Sequence, residues 1–286
     1  MKELNLNPKI ANTFGFIGFG NMARMLIFCL LEYAHISPAN IIVCRKNQDR
    51  TVEIKKEFPE IKSERDAFSV AKQSDIVFLC TKPKDIKEVV LSIKGALKPE
   101  AIVVSLAAGV NLDSLELLLD NKIFKYMPSI TSKTKKGVSL LCFNDKVKEN
   151  DVHYLSLLLS NFSLVKCLQE SDWNLAMILS SCLPGFIANI FDQLKTTAKS
   201  YAKDLKEEEI NEIILNTLLA SAHLLTDNKL SFLELQEIVA TKGGITAEGI
   251  QVLNVGLPLL LKEVFQQALA KTTAIETAIN DDFKLY

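Results

Sequence analysis

Phe14-Gly15-Phe16-Ile17, then Gly18-Phe19-Gly20-Asn21-Met22-Ala23, then Met25-Leu26-Ile27-Phe28: this stretch decides how the chain is read. A short apolar strand delivers the backbone to a glycine turn, and a helix opens directly after it. In a dinucleotide fold the first glycine makes the tight turn and the second lets backbone approach a pyrophosphate. A small third residue, here Ala23, lets helix and strand pack closely. The helix N-terminus then presents free N–H groups and a partial positive charge to the phosphates. Taken alone, Gly-x-Gly-x-x-Ala is equally an ordinary strand-to-helix turn, so its surroundings have to decide.

Those surroundings alternate strand and helix. Ile41–Cys44, Asp75–Cys80 and Ala101–Leu106 are unbroken apolar runs of the kind a parallel sheet covered on both faces requires. Lys122–Met127, Gly137–Phe143 and Phe162–Cys167 read as further strands. Helical patterns lie between, over Asn21–Tyr33, Lys46–Glu57, Glu64–Ser74, Asp85–Ile93, Leu112–Leu119 and Lys148–Ser160. From Glu170 onward strand signals stop and helical periodicity runs to the end. The expected fold is α/β: a Rossmann-type doubly wound sheet over residues 1–168, followed by an all-α domain over 169–286.

With 286 residues, 48% of them hydrophobic, the chain has ample material for two cores. A formal charge of −1 gives no general basic field for nucleic acid or anionic lipid. The cysteines are scattered without a C-x-x-C pair and the three histidines stand apart, so no metal site is expected. They read as reduced core residues of a cytoplasmic protein. The first thirteen residues lack the apolar core of a signal peptide. Trp173–Phe191 carries no charge, but Ser180, Ser181, Pro184, Gly185 and Asn189 argue against a membrane span and for a buried helix at a subunit interface. Gly249–Leu261 is uncharged too, which points to a dimer whose interface resembles a divided core.

The end of the second strand chooses the cofactor. An acid there holds a ribose 2′-hydroxyl, an arginine accommodates a 2′-phosphate. Here Cys44 is followed by Arg45 and Lys46, with Asp49 several residues late, so NADP(H) is expected, with Arg45 or Lys46 on the phosphate. The other reading of this pair is solvated charge at a helix start. Thr81-Lys82-Pro83 follows the Asp75–Cys80 strand at the carboxyl edge where such sheets bind ligands, and Ala107-Ala108-Gly109 offers small residues beside a flat ring. Each also reads as structure alone, a helix-start turn and close packing.

Together Gly18–Ala23, Thr81-Lys82-Pro83, Ser105–Gly109, Met127-Pro128 and Gly243-Gly244-Ile245-Thr246, in this order and spacing, make the chain resemble the pyrroline-5-carboxylate reductases from Phe14 to at least residue 270. The resemblance implies NADPH-dependent reduction of a cyclic imino acid to L-proline. It also implies a Rossmann domain joined to a helical domain that interlocks with its twin in a dimer or larger homo-oligomer. Gly18, Phe19, Gly20, Asn21 and Met22 would then hold the cofactor, with Arg45, Lys46, Thr81, Lys82, Pro83, Ala107 and Ala108. Thr241, Gly243, Gly244 and Ile245 would bind substrate, and Thr246 would orient or protonate the imine nitrogen. Read from its residues alone, Gly243-Gly244 is a helix–helix turn with Thr246 as N-cap.

Three segments depart from the family pattern. Met127-Pro128-Ser129-Ile130-Thr131 stands for Met-Pro-Asn-Thr-Pro. Ser180-Ser181-Cys182-Leu183-Pro184-Gly185-Phe186 stands for Ser-Gly-Ser-Gly-Pro-Ala-Tyr. Thr241-Lys242-Gly243-Gly244-Ile245-Thr246 carries Lys242 where the family has proline. The cofactor half is kept better than the substrate half. Reduction of another imine or a keto compound, and an NADP(H)-binding paralogue without turnover, are the competing readings.

Overall fold

A computed structural model describes residues 12–45 and 51–284. Lys46, one of the expected phosphate ligands, lies outside the described residues. The chain divides into two units, one running to Ser181 and taking up the chain again from Leu269, the other spanning Cys182–Ala268. The sequence places the division near residue 168.

The first unit is built on one eight-stranded sheet in the order β3-β2-β1-β4-β5-β6-β7-β8. Its strands are β1 (Phe14–Ile17), β2 (Ile41–Cys44), β3 (Lys62–Glu64), β4 (Ile76–Leu79), β5 (Ile102–Ser105), β6 (Lys122–Met127), β7 (Gly137–Phe143) and β8 (Ser163–Cys167). All neighbours pair parallel except β6 with β7. β1, β2, β4 and β5 are buried along their whole length, so both faces need apolar side chains. Phe16, Phe78, Val104 and Tyr126 point into one core layer, with Phe16 and Phe78 stacked at 4.7 Å. Ile17, Val77, Leu79 and Ile123 point into the other. The doubly wound fold expected from the strand runs is the fold observed.

Helices α1 (Asn21–Glu32), α2 (Thr51–Glu57), α3 (Ala67–Gln73), α4 (Ile86–Ile93), α5 (Leu112–Glu116), α6 (Glu149–Ser160) and α7 (Trp173–Met177) complete the unit up to Ser181. The sequence reads Glu64–Ser74 as one helix. Instead Glu64 ends the edge strand β3, and the helix begins only at Ala67, because the Asp66 carboxylate accepts from the Ser69 N–H at 2.7 Å and caps it. After α7 the helix loosens into a π turn over Ile178–Cys182.

The second unit contains α8 (Leu183–Tyr201), α9 (Glu207–Asp227), α10 (Phe232–Val239) and the start of α11 (Ile245–Lys284). From Leu269 α11 belongs to the first unit, where Phe283 is buried and Asn280 acts as a clasp. The Asn280 side-chain oxygen accepts from the Asn111 N–H at 3.1 Å and the Ser114 hydroxyl at 2.7 Å. Its amide donates to the carbonyls of Gly109 at 2.9 Å and Glu276 at 2.7 Å. Asn280→Ala strands several of these buried groups at once. The expected loss is about 3 kcal/mol of unfolding free energy, read as a lower urea midpoint at unchanged slope.

Candidate functional site

The strand order reverses between β1 and β4, and in open α/β sheets that switch point is where ligands enter, at the carboxyl ends. Gly18 sits in the crevice. Its N–H donates to the Cys44 carbonyl at 3.0 Å, joining the ends of β1 and β2. Its φ is +103°, and a Cβ there would stand 2.8 Å from the carbonyl carbon and oxygen of Cys80. Only glycine meets both demands. Gly20 is different. It is extended at φ −91°, directly before α1, and a Cβ there would meet nothing within 4 Å. Its openness faces a ligand's space, not a packing constraint.

α1 begins at Asn21 with no side-chain cap and no acid in its first turn, so its N-terminal N–H groups and positive dipole end remain for an anion. Phe19 is 3% exposed, which leaves its backbone, not its ring, to face a ligand. Met22 packs against the core. Across the crevice the Cys80 N–H donates to the Ile17 carbonyl at 2.8 Å, and the Thr81 hydroxyl oxygen is buried without a hydrogen-bond partner. Lys82 is exposed and Pro83 opens a short 3-10 turn. On β5 the Leu106 N–H donates to the Leu79 carbonyl at 3.0 Å, which carries Ala107 and Ala108 to the same edge.

A cavity of about 590 Å³ lies beside the Gly20-Asn21 turn and reaches Arg45 at the end of β2 and Lys56 on α2. Glycine cradle, uncapped helix start, buried unpartnered Thr81 hydroxyl and cationic cavity together suit a dinucleotide bearing an extra phosphate. The thiols nearby do not act as nucleophiles: burial pushes Cys44 up to about 12 and raises Cys80 as well.

The first unit therefore brings together residues 18–22, Arg45, 81–83, Ala107 and Ala108. The expected substrate residues form a separate group in the second unit. Thr241–Gly244 is a β-turn, closed by the Gly244 N–H donating to the Thr241 carbonyl at 2.9 Å, with Gly243 at φ +72° in its third position. The following helix starts at Ile245, so Thr246 lies inside the first turn and is not the N-cap its residues suggest. Thr246 and Lys242 are exposed, and Ile245 is 94% exposed. The segment Ser180–Phe186, altered against the family pattern, starts in the π turn with Ser180, Ser181 and Cys182 and runs on into α8. Ser181 there donates to the Pro128 carbonyl at 3.1 Å, tying it to the other altered segment after β6. Sequence reasoning missed Arg24, Lys56 and Glu57 as cavity residues. The signal for Arg24 was present, since it stands three residues after Asn21 on the same helix face.

A doubly wound sheet with this crevice, joined to an all-helical unit, defines a nicotinamide-dinucleotide-dependent oxidoreductase. Residues 13–109 match the family model described as NADP oxidoreductase, coenzyme F420-dependent, and residues 170–275 match that described as pyrroline-5-carboxylate reductase dimerisation. Pyrroline-5-carboxylate reductase 3 of Bacillus subtilis (strain 168) is 31% identical over 258 residues, covering 90% of this chain and 94% of that protein. ComE operon protein 4 of the same organism is 26% identical over 270 residues, covering 94% and 98%. The crystal structure of Plasmodium falciparum pyrroline carboxylate reductase with NADP bound superposes with a TM-score of 0.82 at 21% identity, covering 93% and 98%. The chain belongs to the pyrroline-5-carboxylate reductase family.

Proposed function

We propose that this protein reduces the cyclic imine 1-pyrroline-5-carboxylate to L-proline, in the cytoplasm and as a homodimer or larger homo-oligomer. The cofactor is NADP(H). The observation that carries the substrate side is the Thr241–Gly244 turn opening onto the first turn of α11, where Thr246 is exposed.

The bound cofactor supplies a hydride. The chain has to hold the imine carbon against it, bind the carboxylate and keep the nitrogen protonated. The Gly243-Gly244 turn and the leading N–H groups of α11 receive the carboxylate, as backbone donors at a helix start do for anions. Thr241 adds a hydroxyl and Ile245 an apolar wall. The Thr246 hydroxyl would orient the nitrogen or relay to it the one proton it needs, taking a proton from solvent as it gives its own, so that one hydride on carbon and one proton on nitrogen complete the saturated ring. Lys242 adds a positive charge beside the carboxylate. In the first unit Gly18 to Met22 cradle the pyrophosphate, Arg45 and Lys46 meet the 2′-phosphate, and Thr81, Lys82, Pro83, Ala107 and Ala108 flank the nicotinamide end. The first unit takes the cofactor and the second, Cys182–Ala268, the substrate residues.

Association follows from what the second unit fails to hide. Ile210 is its one large hydrophobic residue that is buried among those described. Leu253, Val255, Leu259 and Leu260 on α11, and Leu219 on α9, are each more than half exposed. The helical run Glu170–Tyr201 is also long and apolar enough, by length and composition, to cross a bilayer. A second copy of the chain is the partner that hides such faces without lipid, and no nucleic acid is needed.

The test is NADPH oxidation on addition of pyrroline-5-carboxylate. Thr246→Ala is expected to lower kcat on the order of a hundredfold, the low end of what proton transfer contributes, with NADP+ binding unchanged. A second reading, an NADP(H)-binding paralogue without this turnover or with another imine or keto substrate, is favoured by the altered Ser180–Phe186 segment and by the likeness to ComE operon protein 4. Tight NADPH binding with no oxidation of it under any condition would decide for the former; turnover confined to other substrates decides for the latter.

A further inference from the structure

The cavity beside the glycine turn contains a residue that neither the turn motif nor the end of β2 accounts for. Arg24, on the first turn of α1, shares it, among the described residues, with Arg45, Lys56 and the acid Glu57. Its guanidinium is seated over the Phe19 ring, 4.8 Å from the centroid. That ring is itself buried and packs edge-on against Phe58 at 6.3 Å. Arg24 Nε lies 3.4 Å from the Glu57 carboxylate, both side chains being part-exposed. A planar cation held over a buried aromatic ring loses little freedom when it takes up a ligand.

We propose that Arg24 is a specificity residue for the ribose 2′-phosphate of NADP(H), with Glu57 as the counter-charge that tempers it. The cavity touches the two places that matter: the turn that receives the pyrophosphate and the strand end beside which the adenosine ribose rests. Among the described residues three cations and one acid line the cavity, and the extra group that distinguishes NADP from NAD is an anion. A guanidinium offers several donors in one plane and matches phosphate oxygens in pairs. Glu57 stands where its carboxylate offsets part of the Arg24 charge and repels the same phosphate. The inference rests on NADP(H) as the cofactor, not on which imine is reduced, so a failed reductase assay leaves it standing.

Dissociation constants of NADP+ and NAD+, measured by calorimetry on the full chain without substrate at low and high salt, test it. Arg24→Gln is expected to weaken NADP+ about tenfold or more, the loss of one charge-assisted contact, while NAD+ stays within about twofold. Arg24→Lys recovers little of the loss. Glu57→Gln is expected to tighten NADP+ by about threefold at low salt and less at high salt, again without moving NAD+. A thermal melt of each variant establishes that the fold is kept. Equal weakening of NADP+ and NAD+ by Arg24→Gln would place Arg24 at the shared pyrophosphate and overturn the proposal, as would NADP+ affinity unchanged in both variants.

Discussion

Gly20→Ala is expected to leave the melting temperature where it is and to weaken NADP+ binding on the order of a hundredfold, equivalent to about 2.7 kcal/mol. The separation of the two effects follows from the geometry. A methyl group at Gly20 meets no protein atom within 4 Å, and φ −91° is a conformation alanine adopts without strain. The fold has nothing to lose there. The methyl instead occupies the space through which a pyrophosphate must approach the backbone and the N-terminus of α1. Gly18→Ala is the contrasting variant. It puts Cβ 2.8 Å from the Cys80 carbonyl and holds a residue with a side chain at φ +103°, so stability and binding fall together, the strain alone being about 1–3 kcal/mol. Melting curves with and without NADP+ separate the two. A Gly20→Ala protein that binds NADP+ as well as the parent would remove the glycine cradle from the cofactor site.

The same contrast explains how much was legible in the residues. β1, β2, β4 and β5 announce themselves because a central parallel strand must be apolar on both faces. β3 does not, because Lys62-Ser63-Glu64 is a polar edge strand paired through backbone to β2 alone, a bond no side chain advertises. The π turn at Ile178–Cys182 has no residue signature either; within it Ser181 donates to the carbonyl of Pro128, more than fifty residues earlier in the chain. The return of α11 to the first unit is equally non-local, resting on Asn280 meeting Gly109, Asn111 and Ser114. Cofactor residues were readable because the glycine turn and the strand ends lie in short local motifs. Glu57 was not, since it meets Arg24 through space from the end of α2. The helix start at Ile245 shows the limit at the substrate side. The glycines were read as a turn, but which residue the helix begins on decides whether Thr246 is its cap or an exposed hydroxyl on its first turn, and that was settled by backbone bonding.

The protein is expected to sediment as at least a dimer, and Val255→Glu with Leu259→Glu is expected to abolish both the assembly and any reductase activity. The two positions are four residues apart on one face of α11 and are 78% and 73% exposed within a single chain. They lie in the uncharged stretch Gly249–Leu261, with Val252, Leu253 and Leu260 also more than half exposed. A helix apolar all round does not stay in water; it is covered by something. Covering it with a second copy buries these side chains, so each glutamate costs about 3 kcal/mol or more as an unpaired buried charge. Two such charges raise the dissociation constant by about four orders of magnitude or more. The cofactor residues all lie in the first unit, so NADP+ binding is expected to survive in whatever fraction stays soluble. Val255→Ala with Leu259→Ala is the companion: it trims the same contacts without charge and should weaken association far less. Sedimentation at several concentrations, with NADP+ titration on the same samples, reads both effects. A glutamate variant that still sediments as the parent does would show that this face of α11 is not the one the second copy covers.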